Sequence, residues 1–150
     1  MVRYSDIEDD FPRLRGGNYT PTSPPDCAYN CVAWAVGDTQ RFWEDVGIAG
    51  YYWPPGVPDT FNGWIEIFRI HGYAATEDPS LDAAYEKVAI YVTDDGSPQH
   101  VARQKASGRW TSKLGIGRDI EHDLYGLEGE LYGRIAIIMR RPCTGIRVLE

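Results

Sequence analysis

Apolar residues between positions 59 and 72 recur at the spacing of an amphipathic helix. The stripe consists of Phe61, Trp64, Ile65 and Phe68. Asp59 or Thr60 is the expected N-cap, and Gly72 is the expected end of the helix. His71 lies in the last turn, where we expect an interaction with the helix C-terminus and no catalytic role. The pattern therefore predicts one helix packed by a single side on the core.

After Gly72 the pattern changes from helical to alternating. It predicts four strands, over residues 87–92, 100–105, 109–113 and 134–140. Turn sequences at 94–96 and 107–108 separate the first three, so we expect those strands to pair antiparallel. A short helix is predicted from Ile120 to Leu127, with Asp119 as its cap. The combination predicts an α+β fold in which helices pack on an antiparallel sheet.

The N-terminal part of the chain is rich in proline and glycine. Residues 1–25 are predicted to form an irregular arm, with anchors at Tyr4, Ile7, Phe11 and Leu14. A second short helical segment is predicted from Asp38 to Trp43. No repeat, linker or low-complexity tract divides the chain, so residues 1–150 are predicted to form a single domain.

Cys31 occupies a position that favours a reactive thiol. Asn30 is a good N-cap, and the apolar run 32–36 that follows is typical of a buried helix. A cysteine in the first turn lies near the positive end of the helix dipole, which favours the nucleophilic thiolate. The alternative is that Cys31 is a small buried apolar residue, as free cysteines often are.

Composition limits the classes of partner and compartment. The 150 residues carry a net charge of −7 with scattered lysines and arginines, so no nucleic-acid partner is expected. Three cysteines indicate a reduced setting, and we expect a cytoplasmic protein without disulfides. The acidic N-terminus does not look like a signal peptide, although export by a dedicated machine would leave no such mark. No apolar stretch is long enough to predict a membrane span.

A helix-start cysteine followed by a strand-start histidine is the order found in papain-like cysteine hydrolases. His100 begins a predicted strand directly after the turn at residues 95–98. In such enzymes the imidazole takes the thiol proton, and a third polar group orients the imidazole. The blocks around Cys31 and His100-Val101-Ala102 resemble the compact NlpC-type and CHAP-type members. The resemblance implies a papain-like fold with the Cys31 helix packed on the antiparallel sheet, and Ser112 falls where those enzymes carry the orienting residue.

The sequence blocks resemble an uncharacterised bacterial domain family more closely. The shared blocks are Tyr29-Asn30-Cys31-Val32-Ala33-Trp34-Ala35, the run His100-x-Ala102-Arg103, Gly108-x-Trp110-Thr111-Ser112-Lys113-Leu114-Gly115 and Ile120-x-His122. The resemblance covers most of residues 27–142 and brings no assigned reaction. Because serine is a weak orienting group, His122 or Asp119 could replace Ser112 in that role.

These observations predict a hydrolase of an amide, peptide or thioester bond. Cys31 would form the acyl-enzyme and His100 would be the general base, with no cofactor and with a small-molecule, peptide or protein substrate. Such a hydrolase is a candidate toxin or effector. The candidate substrate-contacting residues are Asn30, Trp53, Trp110 and Lys113. Trp53 belongs to the proline-rich loop 51–58, whose composition favours a rigid cover over the core, with a substrate wall as the alternative.

Two other functions are compatible with the sequence. A non-catalytic binding or immunity-type module would use the same fold and its acidic surface against a basic partner. A zinc site would join Cys27, Cys31, His100, His122 and Cys143, although their spacing does not match the usual zinc motifs.

Strand alternation gives one further expectation. His100, Ala102 and Gln104 should share one face of their strand, so that Arg103 points away from His100. We therefore expect Arg103 to pair with Glu121 or Asp119 and not to bind substrate.

Overall fold

A computed structural model describes residues 5–15, 19–23, 32, 35, 42–43, 51–114 and 119–143. Its helices are α1 (Ser5–Asp10) and α2 (Phe61–Ile70), with 3₁₀ turns at Pro12–Leu14 and Leu124–Leu127. Its strands are β1 (Tyr19–Ser23), β2 (Phe42–Trp43), β3 (Tyr51–Tyr52), β4 (Ala74–Thr76), β5 (Tyr85–Val92), β6 (Pro98–Gln104), β7 (Trp110–Lys113), β8 (Asp119–His122) and β9 (Arg134–Pro142). Strands thus outnumber helices in an α+β arrangement.

Seven strands form one antiparallel sheet in the order β1-β8-β7-β6-β5-β9-β4. Strands β2 and β3 form a separate parallel pair. The four strands predicted from alternation are confirmed as β5, β6, β7 and β9. The antiparallel sheet and the α+β class are confirmed with them.

Helix α2 forms where the sequence predicts it. The Thr60 side chain accepts a hydrogen bond from the Gly63 N–H at 3.1 Å, which satisfies one free donor of the first turn. At the other end, His71 Nδ1 lies 2.7 Å from the Ile67 carbonyl oxygen. The expected interaction of His71 with the helix C-terminus is therefore confirmed.

The sheet has two differently covered faces. The helix face packs against α2; its buried apolar residues are Val32, Ala35, Trp64, Ile67, Phe68, Tyr73, Val88, Ile90, Val101 and Met139. Val32 and Ala35 are both in helical conformation and buried. The chain segment that follows Cys31 therefore contributes to the helix face.

The opposite side, the arm face, is covered by short elements near the N-terminus and by the second 3₁₀ turn. Its buried apolar residues are Ile7, Phe11, Leu14, Tyr19, Ala89, Tyr91, Ala102, Trp110, Ile120, Leu124, Leu127 and Ile138. Val101 lies on the helix face and Ala102 on the arm face, which confirms the predicted alternation of β6.

Three local predictions are wrong. The arm at residues 1–25 is not irregular where it is described: it forms α1, a 3₁₀ turn and β1, because Ile7, Phe11 and Leu14 are buried on the sheet. Pro21 is compatible with β1 because β1 is an edge strand. The predicted anchor Tyr4 lies outside the described residues.

In the other two wrong predictions, residues that were expected to be helical form strands. Residues 119–122 form β8, because pairing with both β7 and β1 satisfies their backbone groups, and only Leu124–Leu127 turns helically. Phe42 and Trp43 pair with Tyr51 and Tyr52 instead of ending a helix, while residues 38–41 lie outside the described part. Within the described ranges, no helix has both the length and the apolar character that a membrane crossing requires.

Candidate functional site

His100 lies near the start of β6, on the arm face, opposite Tyr91 of β5. Its side chain is fully buried, and neither ring nitrogen has a hydrogen-bond partner in the part of the chain that the structure describes. The ring of Tyr132 stacks on the imidazole with centroids 4.2 Å apart and planes 5° apart. Tyr91 contacts it with a tilted ring at 5.4 Å. His100 is therefore enclosed by aromatic rings.

His122, at the end of β8, is also fully buried but makes two hydrogen bonds. Nδ1 lies 2.6 Å from the Asp123 carbonyl oxygen, and Nε2 lies 2.7 Å from Ser112 Oγ. A carbonyl can only accept, so we assign the proton to Nδ1; Nε2 then accepts from the serine hydroxyl. Burial lowers the pKa of His122 to about 4, so the ring is neutral at pH 7.

The three candidates His100, Ser112 and His122 lie on the same buried face. In the antiparallel ladder of β6 and β7, Gln104 pairs with Trp110. The same register places Ser112 beside Ala102, which is two residues along β6 from His100. Burial, and after it the charge of His122, lowers the pKa of His100 well below its ordinary value. Both imidazoles on this face are therefore neutral at pH 7.

The proposed nucleophile cannot be placed beside them. Cys31 and Asn30 lie outside the described residues. The neighbours Val32 and Ala35 pack on the helix face together with Val101, whereas His100 projects from the arm face. The sequence prediction of a Cys31–His100 contact therefore stays a prediction.

The other candidates occupy different places. Asp119 is paired with Lys113 in the β7–β8 ladder. Lys113 and Trp110 are both buried. The Trp53 indole N–H donates to the Val57 carbonyl oxygen at 2.8 Å, and its ring packs against Trp64 of α2. In this conformation Trp53 is part of the cover over the helix face.

Glu121, an expected partner of Arg103, lies between two other cations. Its Oε1 is 3.3 Å from Lys105 Nζ and 4.0 Å from Arg109 Nε. These ion pairs connect β8 to the turn between β6 and β7.

Zinc binding receives no support from the described residues. No group of three or more His, Cys, Asp or Glu side chains that could hold a metal ion occurs among them. Cys143 follows the end of β9 that pairs with Tyr85, while His100 is opposite Tyr91. Six residues of strand separate those levels by about 20 Å, which is too far for a shared ion.

Sequence reasoning missed Tyr132, the residue that covers His100. The sequence offers one local indication of a turn at this position, because two glycines, Gly129 and Gly133, lie on either side of the aromatic residue. Gly129 and Gly133 exchange backbone hydrogen bonds at 3.0 and 2.8 Å. The long-range stacking partner of Tyr132 could not be read from that local pattern.

The comparisons with known proteins place the chain in one family. The family model of DUF7689, a domain of unknown function, matches residues 20–140. The chain belongs to this family. No curated protein and no solved structure matches the chain. The matched residues include β2 to β8 and most of β1 and β9, and thus all three buried candidates on the arm face.

Proposed function

We propose that this domain is a cysteine hydrolase of papain-like architecture, with Cys31 as nucleophile and His100 as general base. The substrate would carry an amide, peptide or thioester bond, and the protein would act in the cytoplasm. The observation that carries the proposal is the unpartnered imidazole of His100. The Cys-then-His order of the sequence blocks supplies the nucleophile.

The other two histidines show why this imidazole is unusual. His122 makes two hydrogen bonds and His71 makes one to the end of α2. Leaving a buried polar group without a partner costs about 1–3 kcal/mol. A histidine that serves only packing gains nothing for that cost, whereas a general base must keep a nitrogen available for the reacting proton.

The proposed reaction is acyl transfer from the substrate to Cys31, followed by hydrolysis. His100 would accept the proton of the Cys31 thiol, and the thiolate sulfur would attack the carbonyl carbon. The imidazolium would return the proton to the leaving nitrogen or sulfur as that bond breaks, and water would then hydrolyse the thioester. Ser112 and His122 would hold the neighbouring part of the arm face in position.

Alkylation of the thiols by iodoacetamide at graded pH tests the proposal. We expect Cys31 to react well below the ordinary thiol pKa of about 8.5, because transfer of the thiol proton to His100 would leave a thiolate stabilised by an imidazolium. His100→Ala should move that reactivity back to the ordinary range, and Cys27→Ser and Cys143→Ser should leave it unchanged. Ordinary or absent reactivity of Cys31 in the unmodified protein would contradict the proposal.

A non-catalytic binding module is the second candidate. The observation that favours it is that Val32 and Ala35 pack on the helix face, while His100 lies on the other side of the sheet. The net charge of −7 would suit a basic partner. In the alkylation experiment this function predicts ordinary thiol reactivity that His100→Ala does not change.

A further inference from the structure

The outer edge of the sheet has a step at the end of β4. Strand β4 pairs with residues 138–140 of β9, and its last residue, Thr76, lies opposite Ile138. Residues 134–137 of β9 pair with β5 on one side, and within the described part of the chain no strand pairs with them on the other. The step forms an open groove of about 580 Å³, lined by residues 75–77 and 135–138.

A β-bulge in β9 determines which backbone groups face this groove. Two successive residues of β5 pair with Ile135 and with Ile137, so Ala136 is an extra residue in β9. The Ile135 N–H donates to Glu128 Oε2 at 3.1 Å and is therefore not available to β5. The register then implies that the ladder with β5 uses the N–H groups of residues 136 and 137. In a trans peptide the preceding carbonyls, of Ile135 and Ala136, point away from β5 and into the groove.

Glu77 adds a carboxylate to these two backbone acceptors. Its side chain is exposed where the chain leaves β4, and no hydrogen bond or ion pair engages it in the described part of the chain. The arginines of β9 beside the groove make contacts elsewhere. Arg134 lies 3.6 Å from Asp94 Oδ1, and the Arg140 guanidinium lies over the Tyr85 ring at 4.1 Å from its centroid. The groove therefore presents acceptors and negative charge without a cation to match them.

We propose that this groove binds an arginine side chain of a partner polypeptide. A guanidinium has five N–H donors in a fixed plane and no acceptor, so it can bond to the two carbonyls and to the Glu77 carboxylate together. Its aliphatic stem packs on Ile137, which is half-buried. Strand addition by a second copy is disfavoured, because pairing needs donors as well as acceptors along the edge. The groove contains no residue of the proposed hydrolase site and does not depend on that activity.

A peptide titration followed by two-dimensional amide NMR tests the proposal in the unmodified protein. The probe is the blocked peptide acetyl-Ala-Arg-Ala-amide, and the same peptide with glutamine in place of arginine is its control. We expect the arginine peptide to shift the amide signals of residues 75–77 and 135–138 with a Kd on the order of 1 mM, since one side chain must offset the entropy lost on association. The glutamine peptide should leave these signals unchanged. Absence of these shifts at about 10 mM arginine peptide would overturn the proposal.

Two charge-matched variants separate the groove from general attraction to an acidic protein. Glu77→Gln removes the carboxylate at the groove and should raise the Kd at least about fivefold. Glu130→Gln removes another exposed carboxylate, in the turn between Gly129 and Gly133, and should leave the Kd unchanged. Equal weakening by both variants would mean unspecific attraction and would overturn the proposal. Shifts of the same amide signals with protein concentration, in the absence of peptide, would assign the groove to a second copy and would also overturn it.

Discussion

The two faces of the sheet are covered by elements of different length, and the difference shows in the backbone groups that these elements offer. On the helix face a ten-residue helix supplies apolar side chains, and its internal carbonyls are engaged in its own hydrogen bonds. On the arm face short turns leave carbonyls free, and buried polar side chains use them as acceptors. Tyr91 bonds to the Leu124 carbonyl and His122 to the Asp123 carbonyl. These two polar groups of the arm face are thus buried where the covering elements offer unsatisfied carbonyls.

His100 differs from these two side chains, since no carbonyl in the described part of the chain bonds to either of its ring nitrogens. Its neighbours are the rings of Tyr91 and Tyr132, which offer stacking but no acceptor for a ring N–H. The comparison therefore separates a satisfied histidine, His122, from an unsatisfied one on the same surface. This contrast supports a functional role for His100 better than burial alone.

The largest expected effect comes from truncating one phenylalanine on each face. Phe68 is fully buried, and its ring meets Tyr73 edge-on at 5.6 Å. Phe68→Ala should lower the free energy of unfolding by about 3–5 kcal/mol. Phe11→Ala should cost less, about 1–3 kcal/mol, because a short terminal segment can detach locally before the sheet unfolds. Urea denaturation measures both, and an equal cost would show that the arm face is as cooperative as the helix face.

Acid should destabilise the protein through the arm face. Burial lowers the pKa of His122 to about 4 and that of His100 well below its ordinary value, so the unfolded chain binds more protons in this range. The free energy of unfolding is therefore greatest above about pH 6.5 and decreases as the pH falls towards 4. Below about pH 4, His122 alone accounts for a loss of about 3 kcal/mol. Urea titrations at several pH values measure it.

His122→Gln should reduce this pH dependence without abolishing it, because it removes one of the two buried imidazoles that take up a proton on unfolding. A stability that stays constant between pH 6.5 and 4.5 in the unmodified protein would contradict the buried, neutral state of both histidines.

Much of the helix face could be predicted from sequence because its signals are local. The spacing of Phe61, Trp64 and Phe68 predicts α2, and the Thr60 cap predicts its start. The alternation in β5, β6 and β9 likewise follows from residues close together in the chain. In these segments propensity, periodicity and turn residues all favour the same structure.

The arm face could not be predicted as well, because long-range pairing determines it. Residues 119–122 become a strand only through contact with β7 and with β1, which lies about a hundred residues earlier in the chain. Ser112 and His122 were identified as candidates, but their mutual hydrogen bond depends on that pairing. Tyr132 was missed for the same reason, since its partners His100 and Phe11 lie far away in sequence.

The smallest expected effect concerns the two histidine environments themselves. Ser112→Ala leaves His122 Nε2 buried without a donor and should cost about 1–3 kcal/mol in the free energy of unfolding. His100→Leu removes two unpartnered nitrogens while filling similar volume, so stability should change by less than about 1 kcal/mol and can increase. Urea denaturation of both variants at pH 7 compares them directly. A loss of stability in His100→Leu as large as that in Ser112→Ala would mean that His100 has a structural role after all, and the contrast between the two histidines would fail.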